Sequence, residues 1–233
     1  MTTFACLAFM RFDQLRLIGF PPEAKDWTPK RSCAPQRDSV GAKGSRLSRF
    51  LVLEILLALK RHGYTLHSSS DVSNSERTRD TLVFSFDLPE ESPTMFAIST
   101  NASDLLHLLR APVELQTVVE QLIAHHWPAA RTASQDARLR AGLHCTELKF
   151  RESPWGFSGM SNMSDDDSAC IVLLYLLAAL EERGWHLYGS IGQATSISDG
   201  RAKDTWYQAV PFAVPVAKDC GDPMAPSAPA YMA

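Results

Sequence analysis

Several protein classes are ruled against by what this chain of 233 residues lacks. Its longest uncharged apolar run, Ala169 to Leu180, falls well short of the roughly 20 residues a membrane-spanning helix needs. Arg11, Asp13 and Arg16 come too early for the apolar centre of a secretory leader. The five cysteines (Cys6, Cys33, Cys145, Cys170, Cys220) are odd in number, widely spread and without a C-x-x-C pair. That usage points to a reduced intracellular setting, cytoplasmic or nuclear, rather than a disulfide framework. The formal net charge of -3 leaves no global electrostatic footprint for nucleic acid. G-x-S-x-G, the phosphate-binding P-loop and G-x-G-x-x-G are all missing, so no cofactor is implied and no convergent set of catalytic residue types stands out.

What is present is a repeat. At 45% hydrophobic residues, the chain can build one large core or two small ones. When Gly63 is aligned with Gly184 without a gap, Leu53/Leu174, Leu56/Leu177, Leu59/Leu180 and Leu66/Leu187 coincide, with Ala58/Ala179 between them. Each glycine follows an apolar run of helical length, where a left-handed residue lets the chain turn back on the last carbonyls. Leu180 and Trp185 then occupy the two positions that touch in such a cap. A second set of matches, at an offset of 91, links Asp13/Asp104, Leu15/Leu106, Leu17/Leu108, Pro21/Pro112 and Glu23/Glu114. Phe4-Ala5 matches Phe96-Ala97 at an offset of 92, which implies a slip of one residue.

These signals predict an α+β protein of two degenerate copies of a β-α-β-α-β-β unit, with helices on one face of a largely antiparallel sheet. Residues 1–94 form a truncated first repeat, including a linker-like loop over 24–45. Residues 95–212 form the complete second repeat, and 213–233 a disordered Pro/Ala-rich tail. The second copy alone carries an added amphipathic helix (113–126) and strand (143–150). The helices near 50–59 and 171–180 are apolar on nearly every side, so each must be covered all round. The simplest expectation is that they cover each other, helix to helix or back to back across their sheets.

Short words run through the chain: Phe4, Asp13-Gln14-Leu15-Arg16-Leu17-Ile18 with Pro21, Glu147-Leu148-Lys149-Phe150, Pro154-Trp155, Gly184-Trp185 and Asp204-Thr205. In these the chain resembles a family of tandem-repeat α+β proteins found mainly in fungi. The resemblance implies an architecture and no chemistry. It departs from the family's K-D-T-L-F-F ending, with Lys203-Asp204-Thr205-Trp206-Tyr207 in one copy and Arg79-Asp80-Thr81-Leu82-Val83-Phe84 in the other.

The binding candidates are aromatic or sit in polar turns. Trp155 and Phe157 flank Gly156 in Pro154–Gly159, and Trp185 follows the second helix stop. Asp71 and Ser73 in one hairpin loop are matched by Ser196 and Asp199 in the other. His125-His126 with His144-Cys145 are metal-type residues, but adjacent histidines on a helix point about 100° apart. His144 and Cys145 share a strand and so face opposite ways, which argues against a thiol–imidazole pair. Asp165-Asp166-Asp167 is accounted for as the acidic first turn of a helix. The basic stretch Lys25–Arg49 reads as a solvated linker before a nuclear-import or nucleic-acid arm. The favoured role is a non-enzymatic protein-interaction or scaffold module with an unidentified protein partner. The alternative is a small-molecule-binding protein or hydrolase-like enzyme with a pocket between the repeats.

Overall fold

The structure, a computed structural model, describes residues 3–10, 14–27, 42–70, 81–101, 104–126, 133–139, 143–150, 164–194 and 202–210. In chain order the elements are β1 (Phe4–Met10), β2 (Gln14–Ile18), α1 (Ala24–Trp27), α2 (Ala42–Arg61), β3 (Tyr64–Ser70) and β4 (Thr81–Phe86). They continue with β5 (Met95–Asn101), β6 (Leu105–Leu109), α3 (Val113–His126), β7 (Ala133–Leu139), β8 (Leu143–Lys149), α4 (Ser164–Glu181), β9 (His186–Ala194) and β10 (Ala202–Ala209). Every strand pair is antiparallel, in a sheet ordered β2-β1-β4-β3 and a second ordered β7-β8-β6-β5-β10-β9.

The α+β reading and the duplication hold down to strand register. The order β2-β1-β4-β3 reappears as β6-β5-β10-β9, and β8 and β7 extend only the second sheet. Leu7 pairs with Leu17 and Leu82, while Ile98 pairs with Leu108 and Trp206. Thr81 opposes Ala8 just as Thr205 opposes Ser99. Both hairpins bulge at one point, skipping His67 in β3 and Tyr188 in β9. The constant register makes Ala5, not Phe4, the counterpart of Phe96, so the expected one-residue slip is absent. Each unit also has one more strand after its first than the sequence pattern predicts: QLRLI and LLHLL pair back at once on β1 and β5. β7 is a further addition beside β8.

The helix stops are as expected. Gly63 and Gly184 have φ of 82° and 78°. Trp185 N–H donates to Leu180 O at 3.0 Å and Gly184 N–H to Glu181 O at 2.9 Å, the two bonds that close a Schellman cap. At the shortened helix of the first unit, α1 keeps one turn. Its Ala24 stands where α3 has Leu115, and both are buried. The interval read as a linker therefore contributes helix at both ends, Ala24–Trp27 and the first turn of α2.

Packing departs from the expectation that α2 and α4 cover each other. One core gathers Leu53, Ile55, Leu56 and Leu59 of α2 with Leu7, Leu82 and Phe84 of the first sheet and Ala97, Leu109, Cys145 and Tyr207 of the second. A separate core joins Val172, Leu176 and Leu180 of α4 and Leu115, Val119 and Ile123 of α3 to Phe96, Ile98, Leu106 and Leu108. Strand alternation puts Ala97 and Ile98 on opposite faces of one strand. The layers therefore run first sheet, α2, second sheet, α3 with α4. Each unit lays its own helices on one face of its own sheet, and the second sheet's other face covers α2. This explains why an apolar surface all round is satisfied in α2 and left partly bare in α4, where Leu174 is 66% exposed.

Candidate functional site

Strand register collects a group of polar, chemically competent side chains beneath α2. Glu147 opposes His107, His107 opposes Ser99, and Ser99 opposes Thr205, so four neighbouring strands form one polar row on the face toward α2. Directly opposed residues point to the same side of a sheet. Cys145, two residues before Glu147, shares that face. Helical spacing brings Arg46 and Arg49 down onto it from α2.

The contacts are specific. Arg46 Nη1 donates to Glu147 Oε2 at 2.8 Å. The same carboxylate oxygen lies 3.0 Å from His107 Nε2. A carboxylate paired with Arg46 can only accept, so the His107 hydrogen is on Nε2 and Nδ1 is left as a bare acceptor. Arg49, 0% exposed, donates through Nη2 to Thr100 O at 3.1 Å. Tyr207 Oη donates to Arg49 O at 3.4 Å. Among the described residues, Arg49 Nε and Nη1, Ser99 Oγ and His107 Nδ1 are buried without a hydrogen-bond partner.

Burial dominates the electrostatics. It drives His107 down to about 3, with the nearby positive charges of Arg49 and Arg46 adding to the effect. The imidazole is therefore neutral at physiological pH. Burial pushes the Cys145 thiol up to about 12, although Arg46 and Arg49 pull the other way. A thiol held there is protonated and a poor nucleophile. Desolvation lowers even the Arg49 guanidinium, to about 10.

A second contact zone joins the two sheets at their edges. Leu66 N–H of β3 donates to Tyr188 Oη of β9 at 2.8 Å. Tyr188 is the bulged residue, and a bulge re-aims the side chain it carries. Lys60, at the end of α2, forms a largely buried ion pair with Glu90 and lies 5.7 Å from the Tyr188 ring centre.

The residues singled out from sequence fare differently. Trp185 is buried, edge-on to Phe96 with ring centres 4.8 Å apart, so it packs in the α3–α4 core. Trp155, Phe157, Asp71, Ser73, Ser196 and Asp199 lie outside the described residues. His144 is exposed and Cys145 buried, facing opposite ways as strand geometry requires. His126 stacks on Tyr175 at 3.8 Å and 10°, on the far side of the second sheet from Cys145. Sequence reasoning missed His107, Glu147, Arg46 and Arg49 as a group. The available signal was a lone histidine inside the apolar run Leu105–Leu109, on the same strand face as Leu105 and Leu109. A void of about 10 Å³ lies elsewhere, among Leu106, Ile123, Leu176 and Trp206, too small for a substrate.

One family model matches the chain, over residues 38–85 and 94–209, and its description names a domain without an activity. The two matched stretches begin near the start of α2 and just before β5. No curated protein and no solved structure matches the chain.

Proposed function

The chain belongs to this two-stretch domain family, and from that premise we propose that it acts as a non-enzymatic protein-interaction scaffold inside the cell. The observation that carries the reading is a division of residue types. Among the described residues, Ser99, His107 and Cys145 of the polar row are sealed at 0–3% exposure, whereas Leu174 stands 66% exposed on α4 with Ala178 exposed one turn further along. Apolar side chains left exposed one turn apart on a helix face mark a surface that meets another protein. Residues 1–94 and 95–212 serve as the two stacked units, with 213–233 a tail beyond them. The stretches bearing Trp155 and Phe157, Asp71 and Ser73, and Ser196 and Asp199 supply further contacts, and Trp185 contributes by packing on Phe96 in the core that supports α4. Among the described residues no helix is long and apolar enough to cross a membrane. Affinity purification of the full chain from its host, beside Leu174→Glu, tests the proposal. A protein recovered with the native chain and lost from the variant is expected. Recovery that is equal for both would overturn the assignment of α4.

One observation favours a second reading, a hydrolase-like enzyme with its site between the units. Ser99, His107 and Glu147 are nucleophile, base and acid types in adjacent register positions. Labelling of the native chain by a serine-directed fluorophosphonate, abolished in Ser99→Ala, would establish it. Absence of labelling leaves the row as a structural network.

A further inference from the structure

The contact between the two units is heterologous: the helix layer of the first is seated on the bare sheet face of the second. The complementary surfaces, the helix layer of the second unit and the bare sheet face of the first, remain open among the described residues. We propose, building on the scaffold reading, that a second copy of this chain docks its α4 on the open face of the first sheet, so that the internal stacking continues from molecule to molecule.

Residue equivalence carries the proposal on the helix side. The stripe of α2 that meets the second sheet runs through Arg46, Arg49, Leu53, Glu54 and Leu57, fixed by the bonds of Arg46 to Glu147, Arg49 to Thr100 O and Glu54 to Arg110. With Gly63 aligned on Gly184, Leu53, Glu54 and Leu57 become Leu174, Tyr175 and Ala178. Leu53 and Leu57 are 0% and 2% exposed, whereas Leu174, Tyr175 and Ala178 are all exposed. The outward stripe of α4 is thus the stripe by which α2 already binds a sheet.

The sheet side matches. On the second sheet, α2 covers Ala97 and Leu109, a cross-strand pair. Their counterparts on the first sheet are Cys6 and Ile18, also a pair, with Val83 opposite Cys6 on the other side. Phe4 shares their face by alternation. Phe4 and Ile18 are each 52% exposed, and Cys6 and Val83 are half-buried. Two apolar surfaces whose equivalents bind each other within the chain suit each other between chains. The external contact lacks the Arg46–Glu147 link, because no described strand of the first sheet corresponds to β8, so it is weaker than the internal one. A heterologous contact that does not close on itself adds copies in a row.

Sedimentation velocity of the purified full chain, from low-micromolar to near-millimolar concentration, tests this. Dimers and higher species growing with concentration are expected. Ile18→Glu and Leu174→Glu should each leave only monomer, and an equimolar mixture should restore a heterodimer and nothing larger, since each partner keeps one good face. Ala178→Glu replaces Leu174→Glu if circular dichroism shows the latter misfolded. A chain that stays monomeric throughout, association unchanged by both substitutions, or a mixture that stays monomeric would each overturn the proposal. A partner protein recovered from host cells by a strictly monomeric chain would sink self-stacking and leave the scaffold reading standing.

Discussion

Gly19 and Arg110 stand at the same point of the two units, 91 residues apart, and both hold a left-handed backbone, at φ of 77° and 58°. Each ends the second strand of its unit, where the chain must turn back toward a helix. Arg110 is the one non-glycine residue with positive φ among those described. A side chain in that conformation costs roughly 1 kcal/mol, which glycine avoids. Arg110 also forms an ion pair with Glu54 of α2, but both groups are well exposed, so the pair contributes little. Arg110→Gly is expected to raise stability by about 0.5–1 kcal/mol in urea unfolding. A fall in midpoint would mean that the ion pair between units outweighs the strain.

The two helix-ending glycines separate conformational strain from crowding. A Cβ added at Gly184 meets nothing within 4 Å, so Gly184→Ala carries only the left-handed cost, about 1 kcal/mol. A Cβ at Gly63 would lie 2.5 Å from Asp87 O and 3.3 Å from Pro89 N. Both are backbone atoms of the segment leading to the second unit, and Asp87 N–H already donates to Gly63 O. Gly63→Ala is therefore expected to cost about 2–4 kcal/mol, the same strain plus displaced backbone. Equal losses in the two melting curves would refute the crowding argument.

Tyr188→Phe tests the seam between the sheets. The substitution keeps the ring and leaves the Leu66 N–H without its acceptor, at an expected cost of roughly 1–3 kcal/mol. Because β3 and β9 belong to different units, hydrogen exchange at Leu66 should speed up more than at Leu180, whose contacts lie within the second unit. Uniform acceleration would show that the bond stabilises the whole chain and not the seam.

The unit was legible in the sequence because it is written in local chemistry. Helix stops at Gly63 and Gly184, the shared D-T word at Asp80-Thr81 and Asp204-Thr205, and the paired leucines all follow from neighbours a few residues apart. How the units stack was not legible. Leu53 and Leu174 match in sequence, yet one is fully buried and the other largely exposed. Their difference comes from a sheet that begins more than 40 residues downstream of Leu53, at Met95, and covers only the first of them. The polar row was hidden for the same reason. His107 and Glu147 are 40 residues apart, and only the pairing of β6 with β8 makes them neighbours. QLRLI is too short, and begins too few residues after β1, for its composition to mark it as a strand. The stretches bearing Trp155, Phe157, Asp71, Ser73, Ser196 and Asp199 stand out by composition, which carries no register.

His107 makes the fold sensitive to acid in a way that can be isolated. Its side chain is fully buried, facing Arg46 and Arg49 from α2 and Glu147 from β8. Burial and the two arginines hold its folded value near 3, against 6.5 for an unperturbed imidazole. Between those values the unfolded chain binds a proton at this position and the folded chain does not. Stability therefore falls as pH drops through that window, by up to roughly 1.4 kcal/mol per pH unit, and the contribution is fully present above about 6.5. His107→Gln keeps an amide that can donate to Glu147 and removes the titration. Urea midpoints for both proteins at several values between about pH 7 and pH 4 should show the native chain losing its advantage steadily as acid is added. A gap that stays constant over that range would mean that Glu147 stabilises a protonated His107 enough to cancel its burial.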